Sequence, residues 1–544
     1  MEDPHTGAAR EDTAVDRFSS RRSTVFCRNG IVATSQPLAA EAGAERLRNG
    51  GNAFDAAVAT AAALNVVEPP STGIGGDAFA LYRTADGTVG AMSAGGHAAA
   101  DATIGAVENS GSQGERLSGA QAVTVPGALR GWELLVEEFG RSSLGTALQP
   151  AIDYAENGFP VSEIIANLWT YGAEQLSNQP AREEYLLDGR APRTGELMRL
   201  PNLGRTFERI ADSGADIFYE GAIADEIVET VQSRGGFLTG SDLSGFEPAF
   251  VDPVTTEYNG AKVYELPPNN QGPIALEALN IASELELGTY PVDSVDRVHY
   301  SVEAMKRAFT DGHRYIADPA FADVPALESN RYAARQAEEI GPTATQELTP
   351  GVPEASDTVL LTVADGEGNV VSLINSLFNA FGSGIAAGDT GLLLHNRGAG
   401  FSLDPESPNS LEPGKKPFHT LIPGLIRFDG DDWAAFGVMG AAMQPQGHMQ
   451  VVSNLVDYDM SVQAALDAPR WRYLPAGDVA LESRFDQEII SGLHRRGHDV
   501  RVLPPTVYRN APVGHFGGGQ IARSTSGVLS GGTDPRKDGS VSGY

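Results

Sequence analysis

The chain has 544 residues, of which 41% are hydrophobic, and it carries a formal net charge of −32. This length and apolar content indicate a globular protein built as one large unit or as two to three smaller ones. So acidic a surface disfavours nucleic-acid binding, which needs a basic footprint, and it favours a high-salt host in which ions screen the self-repulsion.

The N-terminal segment, residues 1–23, is charged and serine-rich, and we expect it to be a flexible tail. It has no apolar stretch of the kind found in a secretory signal peptide, and no window of the chain has the length and apolarity of a membrane span. The single cysteine, Cys27, allows no disulfide within the chain. These features predict a cytoplasmic protein without membrane contacts.

A strand and two helices are predicted after the tail. The strand covers residues 30–35, and Ser35 followed by Pro37 signals the start of a helix that ends at Gly50-Gly51. Residues 52–66 are almost wholly apolar, so we expect a buried second helix. The glycine-rich loop 71–77 lacks the Lys-Ser/Thr ending of a phosphate-binding loop and is therefore predicted to be a tight turn.

Helical, polar-faced sequence dominates residues 117–337, with short strands near 261–266. Residues 341–356 are rich in Pro, Thr, Glu and Gly and have no apolar period, which predicts an exposed linker. This linker ends just before Asp357-Thr358.

A β-hairpin is predicted immediately after the linker. Residues 359–364 and 370–376 are β-branched or apolar, and residues 365–369 between them have the composition of a turn. A hairpin symmetric about Glu367 places Ser376 directly opposite Thr358, with Cβ atoms about 5 Å apart.

Thr358 is a candidate nucleophile. A threonine hydroxyl is unreactive on its own, but if the preceding peptide bond is cut, the new α-amine of the same residue can act as its general base. That amine lies a few bonds away and therefore acts at high effective molarity. Cleavage between Asp357 and Thr358 would therefore make the chain an enzyme that activates itself, whereas an uncut Thr358 would be an ordinary strand threonine.

The order of motifs resembles that of the γ-glutamyltransferase family, and most closely its shorter γ-glutamyltransferase-like branch. The matching segments are Pro37–Ala40, Gly50–Ala57, Glu68-Pro69, Gly73–Gly76, Val125–Gly127, Glu303–Lys306, Asp318-Pro319, the Thr358 hairpin, Phe381–Gly384, His395–Phe401, Pro417–Pro423, Met439–Ala441 and Asp534–Gly539. The resemblance implies an N-terminal-nucleophile hydrolase with an α/β (α+β) fold, a four-layer α/β/β/α sandwich. It also implies a large subunit, residues 24–357, and a small subunit, residues 358–544, that stay together as a heterodimer.

Several catalytic and binding roles follow from the same resemblance. Ser376 matches the hydroxyl residue that hydrogen-bonds the nucleophile. Gly440 and Ala441 match the paired glycines whose N–H groups form the oxyanion hole, where one donor is worth about 3 kcal/mol. His419 and Thr420 match the two serines that bind the substrate α-carboxylate, and a histidine there can carry a partial positive charge.

Substrate recognition departs from the family pattern. His97 stands where the shorter branch has an arginine for the α-carboxylate, and Gly400 replaces the aspartate that holds the α-ammonium. Arg397 replaces a glutamine, and a buried arginine repels an ammonium group and attracts a carboxylate. Phe378 replaces an asparagine near the nucleophile, although Asn375 lies close in sequence and is a candidate substrate contact.

No cofactor and no metal site are expected. His494 and His498 have i,i+4 spacing, but Gly497 and the basic residues between them favour a frayed helix end over a metal site.

Together these features predict a γ-glutamyltransferase or glutathione-hydrolase-like enzyme acting on small-molecule amides through an acyl-threonine intermediate. The acyl group of those amides could be γ-glutamyl or a related group such as glutaryl. Two alternatives stay open: an amidase of the cephalosporin or glutaryl acylase type with altered acyl specificity, and an uncleaved, non-catalytic relative.

Overall fold

The computed structural model describes residues 22–110, 114, 116–346, 358–505 and 516–544. Asp357, most of the predicted tail 1–23 and residues 347–356 of the predicted linker lie outside the described residues. Arg22 donates from its guanidinium to the backbone carbonyls of Asp534, at 3.0 Å, and Lys537, at 3.2 Å. The start of the described chain is therefore attached to a segment close to its end.

The strands are β1 Val25–Cys27, β2 Gly30–Thr34, β3 Asp77–Arg83, β4 Val89–Ala94, β5 Phe159–Pro160, β6 Leu197–Met198, β7 Ala249–Val251, β8 Val254–Tyr258, β9 Ala261–Glu265, β10 Val359–Asp365, β11 Val370–Ser376, β12 Ile385–Ala386, β13 Leu393–Leu394, β14 Gly424–Arg427, β15 Trp433–Met439, β16 Trp471–Tyr473, β17 Val479–Glu482, β18 Val500–Leu503, β19 Gly518–Thr525, β20 Val528–Thr533 and β21 Ser540–Gly543.

The α-helices are α1 Pro37–Arg48, α2 Ala53–Val67, α3 Ile104–Asn109, α4 Ala128–Phe139, α5 Leu144–Asn157, α6 Glu163–Gly172, α7 Gln179–Tyr185, α8 Pro201–Ser213, α9 Asp216–Tyr219, α10 Ala222–Gln232, α11 Gly240–Ser244, α12 Gly272–Glu284, α13 Val295–Tyr315, α14 Asn330–Glu338, α15 Met443–Val456, α16 Val462–Asp467 and α17 Gln487–Arg495. Among these described helices, none is both long and apolar enough to cross a bilayer.

Two seven-stranded antiparallel sheets form the centre of the molecule. Sheet I has the order β1-β20-β19-β15-β14-β9-β8, and sheet II has the order β21-β2-β10-β11-β3-β4-β7. Leu360 and Ile374 of sheet II share one buried apolar cluster with Leu425 and Ala435 of sheet I. The two sheets therefore pack face to face, as expected when each sheet has an apolar inner face.

A helical layer covers the outer face of each sheet. The outer residues of β10 and β11, such as Val359 and Leu373, pack in one cluster with helices α1, α2, α4 and α5. On the other side, Phe436 of sheet I packs in a second cluster with α12, α13 and α15. The four-layer α/β/β/α sandwich predicted from the sequence is thus confirmed.

Helix α2 is the buried helix that the sequence predicts. All of its residues from Ala53 to Val67 are buried, because it lies between sheet II and the surrounding helices. Its first turn is closed by a capping box in which the Asn52 side chain accepts from the backbone at Asp55, and the Asp55 carboxylate accepts from the backbone N–H of Asn52.

The β10–β11 hairpin has the predicted register. Val359 pairs with Asn375 and Ala364 pairs with Val370, so the pairing is symmetric about Glu367. The turn is held by Asp365, whose Oδ1 accepts from the backbone N–H groups of Glu367 and Asn369, both at 3.0 Å.

Candidate active site

Thr358 and Ser376 form a buried hydroxyl pair at the start of the hairpin. Their side-chain oxygens are 3.1 Å apart, and both residues are at most 1% exposed. Side chains alternate along a strand, so both residues share the inner face with Leu360 and Ile374. The candidate nucleophile therefore lies between the two sheets, with a hydroxyl beside it.

The chain leaves β11 through a turn that the Ser376 hydroxyl fixes. Ser376 Oγ accepts from the backbone N–H of Phe378 at 2.9 Å. Phe378 itself has φ of 79°, a left-handed conformation that is strained for a bulky residue. The turn places the Phe378 ring in the cleft described below, so one hydroxyl links the nucleophile to the wall of that cleft.

Gly440 and Ala441 lie between the end of β15 and the start of α15. Their φ angles are 122° and 53°, so two successive residues turn the chain in the left-handed half of backbone space. The next residue, Ala442, is right-handed with φ of −67°, and a left-handed residue followed by a right-handed one before a helix directs backbone N–H groups to one point, where they can bind an anion. This geometry suits the predicted oxyanion-hole role.

Gln271 connects the predicted oxyanion hole to the predicted carboxylate-binding segment. Its side-chain amide donates to the carbonyls of Thr420, at 2.6 Å, and Ala441, at 2.9 Å. The two preceding residues act similarly, because Asn269 and Asn270 donate to the carbonyls of Pro417 and Leu421. Sequence analysis did not identify these three amide side chains. Three consecutive amide residues between Pro268 and Gly272 were the signal that could have indicated a hydrogen-bonding segment.

A buried charge cluster lies beside Thr420. Asp77 Oδ2 is 3.0 Å from His419 Nε2, 3.2 Å from His395 Nδ1 and 3.6 Å from Arg397 Nε. Burial acts to raise the pKa of Asp77, but His395 and then His419 outweigh it, so the pKa of this carboxyl lies well below its usual range. Asp77 is therefore a carboxylate; sequence analysis did not identify it or His395 as part of the site.

His419 is neutral, which corrects the expectation that it carries partial charge. Its Nδ1 accepts from the backbone N–H of Leu421 at 3.2 Å, so the ring proton sits on Nε2 and points to Asp77. Burial, and next the charge of Arg397, lower the pKa of His419 to about 3. Its side chain is 1% exposed, and the residue directly precedes Thr420 in the chain.

Arg397 is fully buried and only partly satisfied. Its Nη1 donates to Thr420 Oγ1 at 3.1 Å, and the Phe378 ring covers the guanidinium at 4.1 Å from its centroid. Burial lowers the pKa of Arg397 to about 10, which leaves it charged at neutral pH. Among the described residues, neither Nε nor Nη2 has a hydrogen-bond partner, so this buried cation retains donor capacity.

A cleft of about 310 Å³ opens beside these residues. It is lined by Arg116, His313, Ile316, Phe378, Ala399, Gly400, Phe401, Ser402, Ser407, Asn409, Phe418 and Thr420. None of these described lining residues is acidic. Burial lowers the pKa of His313 to about 4, so its ring is neutral here. The cleft therefore has an apolar wall with polar and cationic groups, and its described lining offers no carboxylate to pair with an ammonium ion.

Two of the predicted substrate contacts lie elsewhere. Asn375 occupies the outer face of β11, where its side chain bonds to Asn65, Thr72 and the carbonyl of Asp77. Strand alternation puts it on the opposite face from Ser376, so its geometry favours a structural role. The ring of His97 faces the carbonyl of Ala98, at 3.1 Å, and is not among the residues that line the cleft.

The two histidines that sequence analysis set aside differ in environment, since His494 is exposed and His498 is buried. His498 lies beside His299 and Glu303, with potential ligand atoms within 4.8 Å of one another. Lys306 already donates to Glu303 at 2.8 Å, and His299 Nδ1 is 2.8 Å from His498 Nε2. Because an ammonium ion neutralises the carboxylate, this cluster suits a hydrogen-bonded core network better than a metal.

Comparison with known proteins agrees with the fold and with the family resemblance. The γ-glutamyltranspeptidase family model matches residues 39–544. The glutathione hydrolase-like YwrD proenzyme of Bacillus subtilis (strain 168) is 38% identical over 526 residues, covering 94% of this chain and 98% of that protein. The oxamate amidohydrolase proenzyme of Klebsiella pneumoniae is 34% identical over 545 residues, covering 95% and 98%.

A solved structure extends the similarity to three dimensions. Cephalosporin acylase from Bacillus halodurans matches with a TM-score of 0.89 and 42% identity, covering 100% of this chain and 99% of the acylase. These relatives are enzymes, which favours the catalytic hypothesis over a non-catalytic relative. Because the family model and the relatives match nearly the whole chain, the protein belongs to the γ-glutamyltranspeptidase family of N-terminal-nucleophile enzymes.

Proposed function

We propose that the chain cleaves itself between Asp357 and Thr358 and then hydrolyses or transfers the acyl group of small amides. The observation that carries this proposal is the buried Thr358–Ser376 hydroxyl pair, 3.1 Å apart on the inner face of sheet II. A plain strand threonine needs no such partner.

In the proposed reaction the α-amine of Thr358 removes the proton from Oγ1, which attacks the amide carbonyl. Ser376 donates to the attacking oxygen, and the N–H groups of Gly440 and Ala441 receive the negative charge that forms on the carbonyl oxygen. Collapse of the tetrahedral intermediate expels the amine, which takes the proton from the Thr358 ammonium. Water or an amine then attacks the threonine ester by the same steps.

We propose that the two pieces of the chain remain together as a heterodimer. In sheet II, β10 pairs with β2 and β11 pairs with β3, so the strands of residues 358–544 lie between strands of residues 22–346. In sheet I, β14 likewise pairs with β9. At the sheet edges β1 pairs with β20 and β2 pairs with β21, so separating the subunits would break five strand pairings and expose the core between the sheets.

The acyl group is proposed to be γ-glutamyl or a related dicarboxylic group, with preference for one that lacks an α-ammonium. Arg397 is a buried cation, and Gly400 in the cleft gives an ammonium no carboxylate. A glutaryl group offers the terminal carboxylate without the ammonium. The relatives include both a glutathione hydrolase-like proenzyme and a cephalosporin acylase, so the family accommodates more than one kind of amide.

The test is to express the full chain and the Thr358→Ala variant and to compare them on a denaturing gel. The proposal expects fragments of roughly two-thirds and one-third of the chain, with Thr358 at the new N-terminus, and a single band for the variant. Glutaryl and γ-glutamyl anilides assayed side by side then report acyl preference. Full activity in material whose Thr358 is still joined to Asp357 would refute the mechanism.

The charge of −32 supports a further proposal, that the protein works in a high-salt cytoplasm. Activity and melting temperature should then rise between low and molar KCl, because added ions screen the repulsion between carboxylates. A melting temperature that falls or stays constant over this range would contradict the high-salt proposal.

A further inference from the structure

Asp77 occupies the first position of β3 and is completely buried. Its Oδ1 accepts from the backbone N–H of Gly96 at 3.1 Å, which fixes the carboxylate plane. Its Oδ2 faces ring or guanidinium nitrogens of His419, His395 and Arg397. One carboxylate oxygen therefore lies close to three side chains, which come from two separate segments of the chain.

The two rings face the carboxylate in different ways. His419 donates to Asp77 from Nε2, because its Nδ1 accepts from Leu421. His395 Nε2 is 2.9 Å from the carbonyl oxygen of Thr124 and 3.2 Å from its hydroxyl oxygen. His395 Nδ1 lies 3.2 Å from Asp77 Oδ2 but is without a hydrogen-bond partner among the described residues. His419 is therefore the ring that Asp77 fixes by a hydrogen bond.

Arg397 is held from two sides. Asp77 lies at its Nε, and this is the only carboxylate paired with Arg397 among the described residues. Thr420 accepts from Nη1 on the other side. The Asp77 contact at 3.6 Å is an ion pair and not a hydrogen bond, so both Nε and Nη2 are buried without a hydrogen-bond partner among those residues. A guanidinium held by the charge of Asp77 and by Thr420, with donors still available, suits a planar, two-oxygen ligand.

We propose that Asp77 is a positioning residue for acyl specificity. It holds Arg397 by an ion pair near Nε, and it fixes His419, and with it the adjacent Thr420, by a hydrogen bond from Nε2. Arg397 Nη2 and the Thr420 hydroxyl then bind the terminal carboxylate of the acyl donor together. Asp77 does not touch the substrate. This inference rests on the proposed function, since it assumes a donor with a terminal carboxylate.

The experiment compares two donors that differ only in the terminal group, glutaryl anilide and its terminal carboxamide analogue. In the Asp77→Asn variant we expect KM for the carboxylate donor to rise about tenfold or more, because the freed guanidinium loses its fixed geometry. KM for the carboxamide donor and kcat for both donors should stay within about threefold. Asp242→Asn, which alters another buried aspartate that binds backbone N–H groups, is the control for a general folding effect.

Several results would overturn the positioning role. An equal loss with both donors would mean a purely structural residue, and tighter binding of the carboxylate donor would mean that Asp77 only attenuates the charge of Arg397. A double-mutant cycle with Arg397→Met should be strongly non-additive for the carboxylate donor, and additive losses would contradict the coupling.

A second variant keeps the test decisive if Asp77→Asn does not fold. Arg397→Lys retains the charge but has no Nε–H for Asp77, and it should reduce the preference for the carboxylate donor as strongly. An unchanged preference would refute the inference. If the wild-type enzyme itself does not distinguish the two donors, the proposed acyl class fails and the inference fails with it. If the wild-type enzyme distinguishes the two donors and the Asp77→Asn variant distinguishes them equally well, only the inference fails.

Discussion

Replacing Ser376 with alanine isolates the contribution of the hydroxyl beside the nucleophile. The change removes the 3.1 Å contact with Thr358 Oγ1 and the acceptor of the Phe378 N–H at 2.9 Å. A hydrogen bond to a group that develops charge is worth about 1.5–3 kcal/mol, which corresponds to a loss of about 10- to 150-fold in kcat. The unsatisfied Phe378 N–H adds a stability cost of about 1–3 kcal/mol.

Ser372 provides a matched control for this change. It lies on the same strand and the same face, it is completely buried, and its hydroxyl donates to the carbonyl of Phe436 at 2.9 Å. Ser372→Ala should lower the melting temperature to a similar extent and leave kcat within about twofold. The assay is single-turnover hydrolysis of an anilide by fully cleaved enzyme. Equal losses of kcat in the two variants would refute a specific role for Ser376.

Three further predictions concern the surroundings of the site. Burial, then Asp311, raises the pKa of Glu277 well above its usual value, so its stabilising neutral form is present in acid and is lost as pH rises through the folded-state pKa. Glu277→Gln should therefore raise the melting temperature relative to wild type by an amount that grows as pH rises through that pKa, whereas Glu284→Gln on the exposed side of the same helix should show no such trend. Ala441→Gly should raise the free energy of unfolding by about 1 kcal/mol in urea titrations and keep kcat within about twofold, since it relieves a left-handed alanine and keeps the N–H; a loss of stability would contradict this. Gln271→Leu should lower kcat/KM at least about tenfold, because it removes two donors that hold both halves of the site; unchanged steady-state kinetics would argue against that role.

The hairpin could be predicted because its determinants are local. Alternation of side chains and a five-residue turn fix the pairing of Thr358 with Ser376, which are 18 positions apart. Helix α2 could be predicted for the same reason, since its apolar run and its cap lie within one short segment. The sequence also held a signal against Asn375, because adjacent strand residues point to opposite faces.

The charge cluster could not be predicted, because it depends on contacts between distant segments. His419 and Asp77 are 342 positions apart, and nothing in the local sequence of either residue indicates the other. The protonation state of His419 is equally non-local, since it follows from burial and from the neighbouring Arg397. The family resemblance identified which residues differ from the usual substrate-binding residues. Only the structure identified Asp77 as the carboxylate that contacts Arg397 and His419.

The strand order of sheet II bears on how the enzyme loses and regains its fold. Once the proposed cleavage has taken place, melting releases two molecules, so the equilibrium gains translational entropy and depends on protein concentration. Neither fragment retains a complete sheet: β10 and β11 would lose both β2 and β3 as neighbours. Refolding would then require a bimolecular encounter of chains with exposed strand edges, which favours aggregation over recovery. The mature enzyme would therefore persist mainly through slow unfolding, and the uncut precursor would be the form able to renature.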